Sequence, residues 1–123
     1  MSDPKQQFER PRVPEPWPPA EATDRLRKIA VDESFTVSFK VHALEQMEAR
    51  DITTPDVLHA MRTGFVYDVA APAKQPGLFL YTIKGATPSS NQRDIRIVVI
   101  PSMHKAAAKI VTVMWADEPV VQG

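Results

Sequence analysis

VHALEQMEARDITTPDVLHAMRTGFV, residues 41–66, holds two successive helical patterns and the turn into the first strand after them. Val41, Leu44 and Met47 recur at helical spacing and predict a first helix with one buried stripe. Ile52 follows in a break. Thr54-Pro55-Asp56 then supplies three helix-start signals in order: a capping hydroxyl, a first-turn proline and an early acid facing the positive end of the helix dipole. Val57, Leu58 and Met61 give the buried face of this second helix. Arg62 suits its last turn, and Gly64 stands where a left-handed capping glycine is expected.

On the C-terminal side the period changes from helix to strand. Phe65–Ala70, Leu78–Lys84, Asp94–Ile100 and Lys109–Trp115 are rich in β-branched and aromatic residues, and turn formers lie between them. These connections suit antiparallel neighbours and are too short for helical crossovers. On the N-terminal side, Phe35, Val37 and Phe39 alternate with Thr36, Ser38 and Lys40 as a half-buried strand does. Residues 20–31 are good helix formers, with Leu26, Ile29 and Ala30 at helical spacing. Six of the 12 prolines fall in residues 1–19, which predicts a polyproline-II or irregular arm. Within it Phe8, Val13 and Trp17 are the large apolar groups, able to pin the arm to a domain or to lie in a solvated tail.

The expected fold is therefore α+β, with two helices packed on one face of a four- to five-stranded, mainly antiparallel sheet. The expected divisions are a proline-rich arm at 1–19, a short helix and linker at 20–33, the α+β domain at 34–116 and a tail at 117–123. A chain of 123 residues has room for one such domain.

Composition narrows the function classes. Zero cysteines exclude disulfides, thiol chemistry and cysteine-ligated zinc. No apolar stretch near the N-terminus resembles a signal-peptide core, and no run is long enough to span a membrane, so a cytoplasmic protein without membrane contact is expected. Formal net charge is +0, yet residues 35–115 hold nine Lys and Arg against six acids, a mild basic excess of three compatible with a nucleic-acid partner. His42, His59 and His104 do not pair at a helical metal-site spacing, and phosphate loops and dinucleotide fingerprints are absent, so neither a metal nor a cofactor is expected.

Seven residues attract attention as candidate chemistry. His42, Gln46 and Arg50 are spaced by four and share one helix face, which can look into a cleft or be an ordinary polar face. Arg96 sits inside the most apolar strand and needs solvent, a partner or an anion. Thr112 is central in KIVTVMW, and Tyr81 and Lys84 lie on the middle strand.

SFKVHALEQMEARDITTPDVLHAMRTGFV, then RIVVI, then IVTV, occur in order across residues 38–113. With them the chain resembles a bacterial family known only as domain of unknown function 4258. The matching positions are His42-Ala43, Gln46-Met47, Arg50, Ile52, Gly64, Arg96 and Thr112, with Gln46 standing where the family more often has arginine. The family is similar to RelE-type and barnase-like ribonuclease toxins. That resemblance implies metal-independent RNA cleavage with His42 as base or acid, Arg50 and Arg96 as an anion clamp and Thr112 as a hydrogen-bond donor. Gln46, Tyr81 and Lys84 would contact substrate, and the implied partners are RNA and a cognate antitoxin or other protein. No convincing second acid or base accompanies His42, which keeps a non-catalytic interaction module, accessory or immunity-type, as the alternative.

Overall fold

Two prolines open the first helix, because a helix leaves its first N–H groups unpaired and proline has none to lose. A computed structural model describes residues 15–88 and 93–118; Phe8 and Val13 of the arm and the end of the tail lie outside them. Helix α1 (Pro19–Val31) buries Ala22, Leu26 and Ala30, spaced by four on one face. Thr23 on the same side donates to the Pro19 carbonyl and accepts from the Val66 N–H, both at 2.9 Å. This helix thus belongs to the same core as the elements after residue 34.

Strand β1 (Thr36–Phe39) passes into α2 (Val41–Arg50), which stops at Asp51 in the left-handed region with φ 57°. The buried side of α2 is Ala43 and Met47, whereas Val41 and Leu44 are 71% and 48% exposed. The predicted stripe is rotated because α2 lies close to a strand edge. A small Ala43 permits that approach, and Gln46 must face the edge to bond it.

Helix α3 (Thr54–Thr63) is capped by Thr53, one residue before the expected cap. Thr53 and Thr54 offer the same hydroxyl, but only Thr53 lies three residues before Asp56. The Asp56 carboxylate therefore accepts from the Thr53 N–H while the Thr53 hydroxyl accepts from the Asp56 N–H.

Strands β2 (Phe65–Val66), β3 (Ala71–Pro72), β4 (Phe79–Ala86), β5 (Asp94–Pro101) and β6 (Ala107–Trp115) complete a six-stranded sheet in the order β1-β6-β5-β4-β2, with β3 also on β4. The expected strand at Phe65–Ala70 is shorter: β2 pairs with β4 at Ile83 and Lys84, and β3 rejoins the same strand at Phe79 and Leu80. β1 runs parallel to β6 and the other pairs are antiparallel, so the sheet is mixed. A Pro76-Gly77 turn joins β3 to β4, with Gly77 at φ 87° and the Leu78 N–H on the Gln75 carbonyl, the geometry that favours glycine after proline. The protein is α+β, with three helices on one face of this sheet.

That face supplies the core. Tyr81 and Ile83 from β4, Ile95, Ile97 and Val99 from β5, and Ala108, Ile110, Val113 and Trp115 from β6 are buried with Leu26, Met47, Val57 and Met61 of the helices. Gly64 is required here for a different reason from the one expected. Its φ of −79° and ψ of −178° are extended, but a Cβ would meet the Ala60 carbonyl oxygen at 2.5 Å and the Lys84 carbonyl oxygen at 2.8 Å. Close contact between α3 and β4 demands it, and Gly85 lies in the same contact, where a Cβ would stand 3.2 Å from Ala60 and need only a small shift.

Candidate functional site

Strand alternation sends every second residue of the sheet away from the helices. The register places Arg96 opposite both Lys84 and Met114, Val98 opposite both Thr82 and Thr112, and Ile100 opposite Lys109. Each of these flanks a buried neighbour such as Ile97 or Val99, so together they form the bare face. Phe65 lies opposite Lys84 at the far edge. One transverse row therefore reads Phe65, Lys84, Arg96, Met114 across four strands.

Its centre is a pair of cations directly across from one another. Arg96 is half-buried; its guanidinium donates to the Ala116 carbonyl at 3.3 Å and lies 2.9 Å from the Met114 sulfur. Among the described residues no carboxylate pairs with Lys84 or Arg96, although Asp94 stands on the same face opposite Ala86. Like charges at directly opposed positions are destabilising, so the row is a place where an anion would be welcome.

The residues expected to share a cleft divide between two faces. Arg96 and Thr112 are neighbours on the bare face, as diagonal positions of β5 and β6. His42 is exposed on α2, the helix that packs by Ala43 and Met47 against the covered face, so the sheet separates it from Arg96. Arg50 is occupied: its Nε donates to one Glu118 oxygen at 2.7 Å and its Nη2 to the other at 3.0 Å. The arginine beside it holds the Glu118 carboxyl below the usual range. Gln46 is also engaged, its Oε1 accepting from the Val113 N–H at 2.9 Å on the edge of β6 that β1, ending at Phe39, leaves unpaired. An unpaired ladder N–H next to a β-bulge, where Val111 has no partner on β5, needs such an acceptor. Tyr81 is 1% exposed in the core, and its hydroxyl accepts from the Trp17 N–H at 2.8 Å. Burial pushes that hydroxyl's pKa up. Trp17 stacks on the Tyr81 ring at 5.3 Å, so the arm is pinned to the domain at this point. Of the seven candidates, Lys84, Arg96 and Thr112 remain as one group on one surface.

Sequence reasoning missed an aromatic cluster beside that group. Phe65 and Tyr67 are 49% and 65% exposed, with ring centroids 6.1 Å apart. The Arg27 guanidinium lies 4.5 Å over the Phe65 ring and is anchored to the Thr63 and Gly64 carbonyls. The alternation of Phe65, Tyr67 and Val69 in a segment flanked by helix and turn was the available signal. A shallow cleft of about 370 Å³ between α1 and the β5–β6 turn, lined by Trp17, Lys28, His104 and Lys105, includes none of the expected site residues. Among the described residues no cluster of three or more potential metal ligands occurs, and no helix is long and apolar enough to cross a membrane.

Neither the curated proteins nor the solved structures yield a relative that matches this chain. A family model does match residues 39–115, from the end of β1 to the end of β6, and its description is "Domain of unknown function (DUF4258)". The matched segment holds α2, α3 and every strand but the first, and on that span the chain belongs to the DUF4258 family.

Proposed function

We propose that this chain binds RNA on the bare face of its sheet, and that binding rather than metal-independent cleavage is its primary activity. The observation that carries the reading is the Lys84–Arg96 pair, two cations held at opposed register positions with no carboxylate on either among the described residues. Lys109 adds a third positive charge farther along the same face. A polyanion neutralises such a row, and half-buried Val98, Thr112 and Met114 beside it give the bases a weakly polar floor. Cleavage through the 2′-hydroxyl needs a base and an acid on either side of one phosphate. His42 lies across the sheet from Arg96, and Arg50 is committed to Glu118, which favours binding without cleavage.

The test is titration of a fluorescein-labelled RNA by anisotropy at several salt concentrations, with wild type, Lys84→Ala and Arg96→Ala. Binding that weakens steeply with salt, and a shallower salt slope in each variant, is the expected result. Release of fragments under the same conditions, abolished in His42→Ala, would restore the ribonuclease-toxin reading. Absence of both binding and cleavage would leave the alternative, a protein-interaction module with an antitoxin-like or other protein partner.

A further inference from the structure

We infer that the RNA taken by this face is single-stranded, and that Phe65 and Tyr67 form its base-stacking platform beside the phosphate contacts of Lys84 and Arg96. This deepens the RNA-binding reading and rests on it. Phe65 stands at the end of the transverse row, directly opposite Lys84, which is directly opposite Arg96. Ring, cation and cation therefore follow one another at adjacent strand positions, about 5 Å apart each. Base and phosphate alternate on a comparable scale along an unpaired strand, whereas a duplex turns its bases inward and offers phosphates alone.

Three further features fit stacking rather than chance exposure. The two rings are large, 49% and 65% exposed, and mutually tilted by 39°, which leaves ring surface facing solvent. Arg27 fixes Phe65 from α1 through two carbonyl bonds and a ring contact, so the platform is ordered before a ligand arrives. The cations on the face are within one or two strands of the rings, so each stacked base has a phosphate partner within reach. Base stacking on aromatic side chains tolerates any sequence, because every base has a π-face.

The experiment compares three probes on the full chain: labelled 12-mer oligouridine, a blunt RNA duplex of the same length, and inorganic polyphosphate as a polyanion without bases. Oligouridine is expected to bind about tenfold tighter than the duplex, and polyphosphate to compete only weakly. Phe65→Ala/Tyr67→Ala is expected to weaken oligouridine binding about tenfold while leaving the slope of log Kd against log salt unchanged. Phe65→Leu/Tyr67→Leu, which keeps apolar bulk and removes the rings, should lose the same factor, so a folding defect cannot imitate the result. If the aromatic variants bind as wild type does, or the duplex binds equally well, the platform is refuted while RNA binding through Lys84 and Arg96 stands. If polyphosphate binds as tightly as oligouridine, the face recognises charge alone and the inference fails. If no probe binds, the RNA reading fails with it.

Discussion

The two faces of the sheet are written in the same strands and obey different chemistry. On β5, Ile95, Ile97 and Val99 are fully buried under the helices, while Arg96, Val98 and Ile100 between them are half-buried on the other side. The covered face is filled by apolar side chains that pack on one another, except at Gly85, where α3 comes down on β4. The bare face places Lys84 against Arg96, an arrangement that works against stability. Stability resides on the first face and the capacity to bind on the second, so a substitution's effect should depend on the parity of its position.

Ile97→Ala should have the largest effect. Ile97 is 0% exposed at the centre of the sheet, and its truncation should cost about 2–5 kcal/mol, read from urea denaturation. Val98→Ala, one residue away, should cost a small fraction of that. Equal losses would mean that both faces are packed and that the bare face is covered in solution.

Gly64→Ala tests the contact that brings α3 down on β4. The added Cβ would fall 2.5 Å and 2.8 Å from two backbone oxygens, which cannot swing aside as a side chain does. The expected loss is about 1–3 kcal/mol, from the strain of overpacking. An unchanged denaturation midpoint would show that the helix rides higher on the sheet.

At the sheet edge the Arg50–Glu118 pair adds a smaller, pH-dependent contribution. Its arginine depresses the folded-state pKa of Glu118, so the pair's contribution is present above the unfolded glutamate value of about 4.3 and is lost as pH falls through the lower folded value. Glu118→Gln should cost about 0.5–1 kcal/mol near neutral pH, since the pair is partly solvated. The gap between wild type and variant should close on acidification into the range below the usual glutamate value. A gap that persists there would assign the loss to how the glutamine packs rather than to the lost charge, since its Oε1 can still accept from the Trp115 N–H.

The smallest expected effect has the opposite sign. Lys84→Gln removes one of two opposed cations and should stabilise the free protein by about 0.2–0.5 kcal/mol while weakening RNA binding. Thermal denaturation of both proteins checks it, and a destabilised variant would mean that Lys84 has a favourable partner.

Where a pattern was tied to one backbone period, the sequence disclosed it. The capping signals before α3, the alternation along β5 and the apolar positions of β6 all correspond to elements of the structure. What stayed hidden depends on contacts between distant segments. Val41-Leu44-Met47 and Ala43-Met47 are both helical spacings, and only the nearness of β6 selects the second. Gly64 reads as a turn residue until the oxygen atoms of Ala60 and Lys84 are placed around it. Arg50 looked free because Glu118, 68 positions away, had no local reason to be its partner. Arg96 and Thr112 can share a face if β5 and β6 pair, but strict alternation would set Thr112 with the buried Ile110, and only the bulge at Val111 turns it to the side of Arg96. His42 was misplaced because nothing in its helix says on which side of the sheet the helix will lie.

The parallel pairing of β1 with β6 also has a kinetic meaning. Thr36–Phe39 finds its partner at Ala107–Ile110, about seventy residues later, and the intervening chain must be made before this edge can close. At synthesis speeds of about 5–20 residues per second, β1 waits several seconds with its backbone groups unmatched. During that interval the hairpin β4–β5 can form locally, but an extended TVSF segment is open to other chains. Distant closure of this kind slows folding by raising the mean separation of contacting residues. The passage of β1 straight into α2 places a helix, rather than a second extended segment, beside the waiting strand.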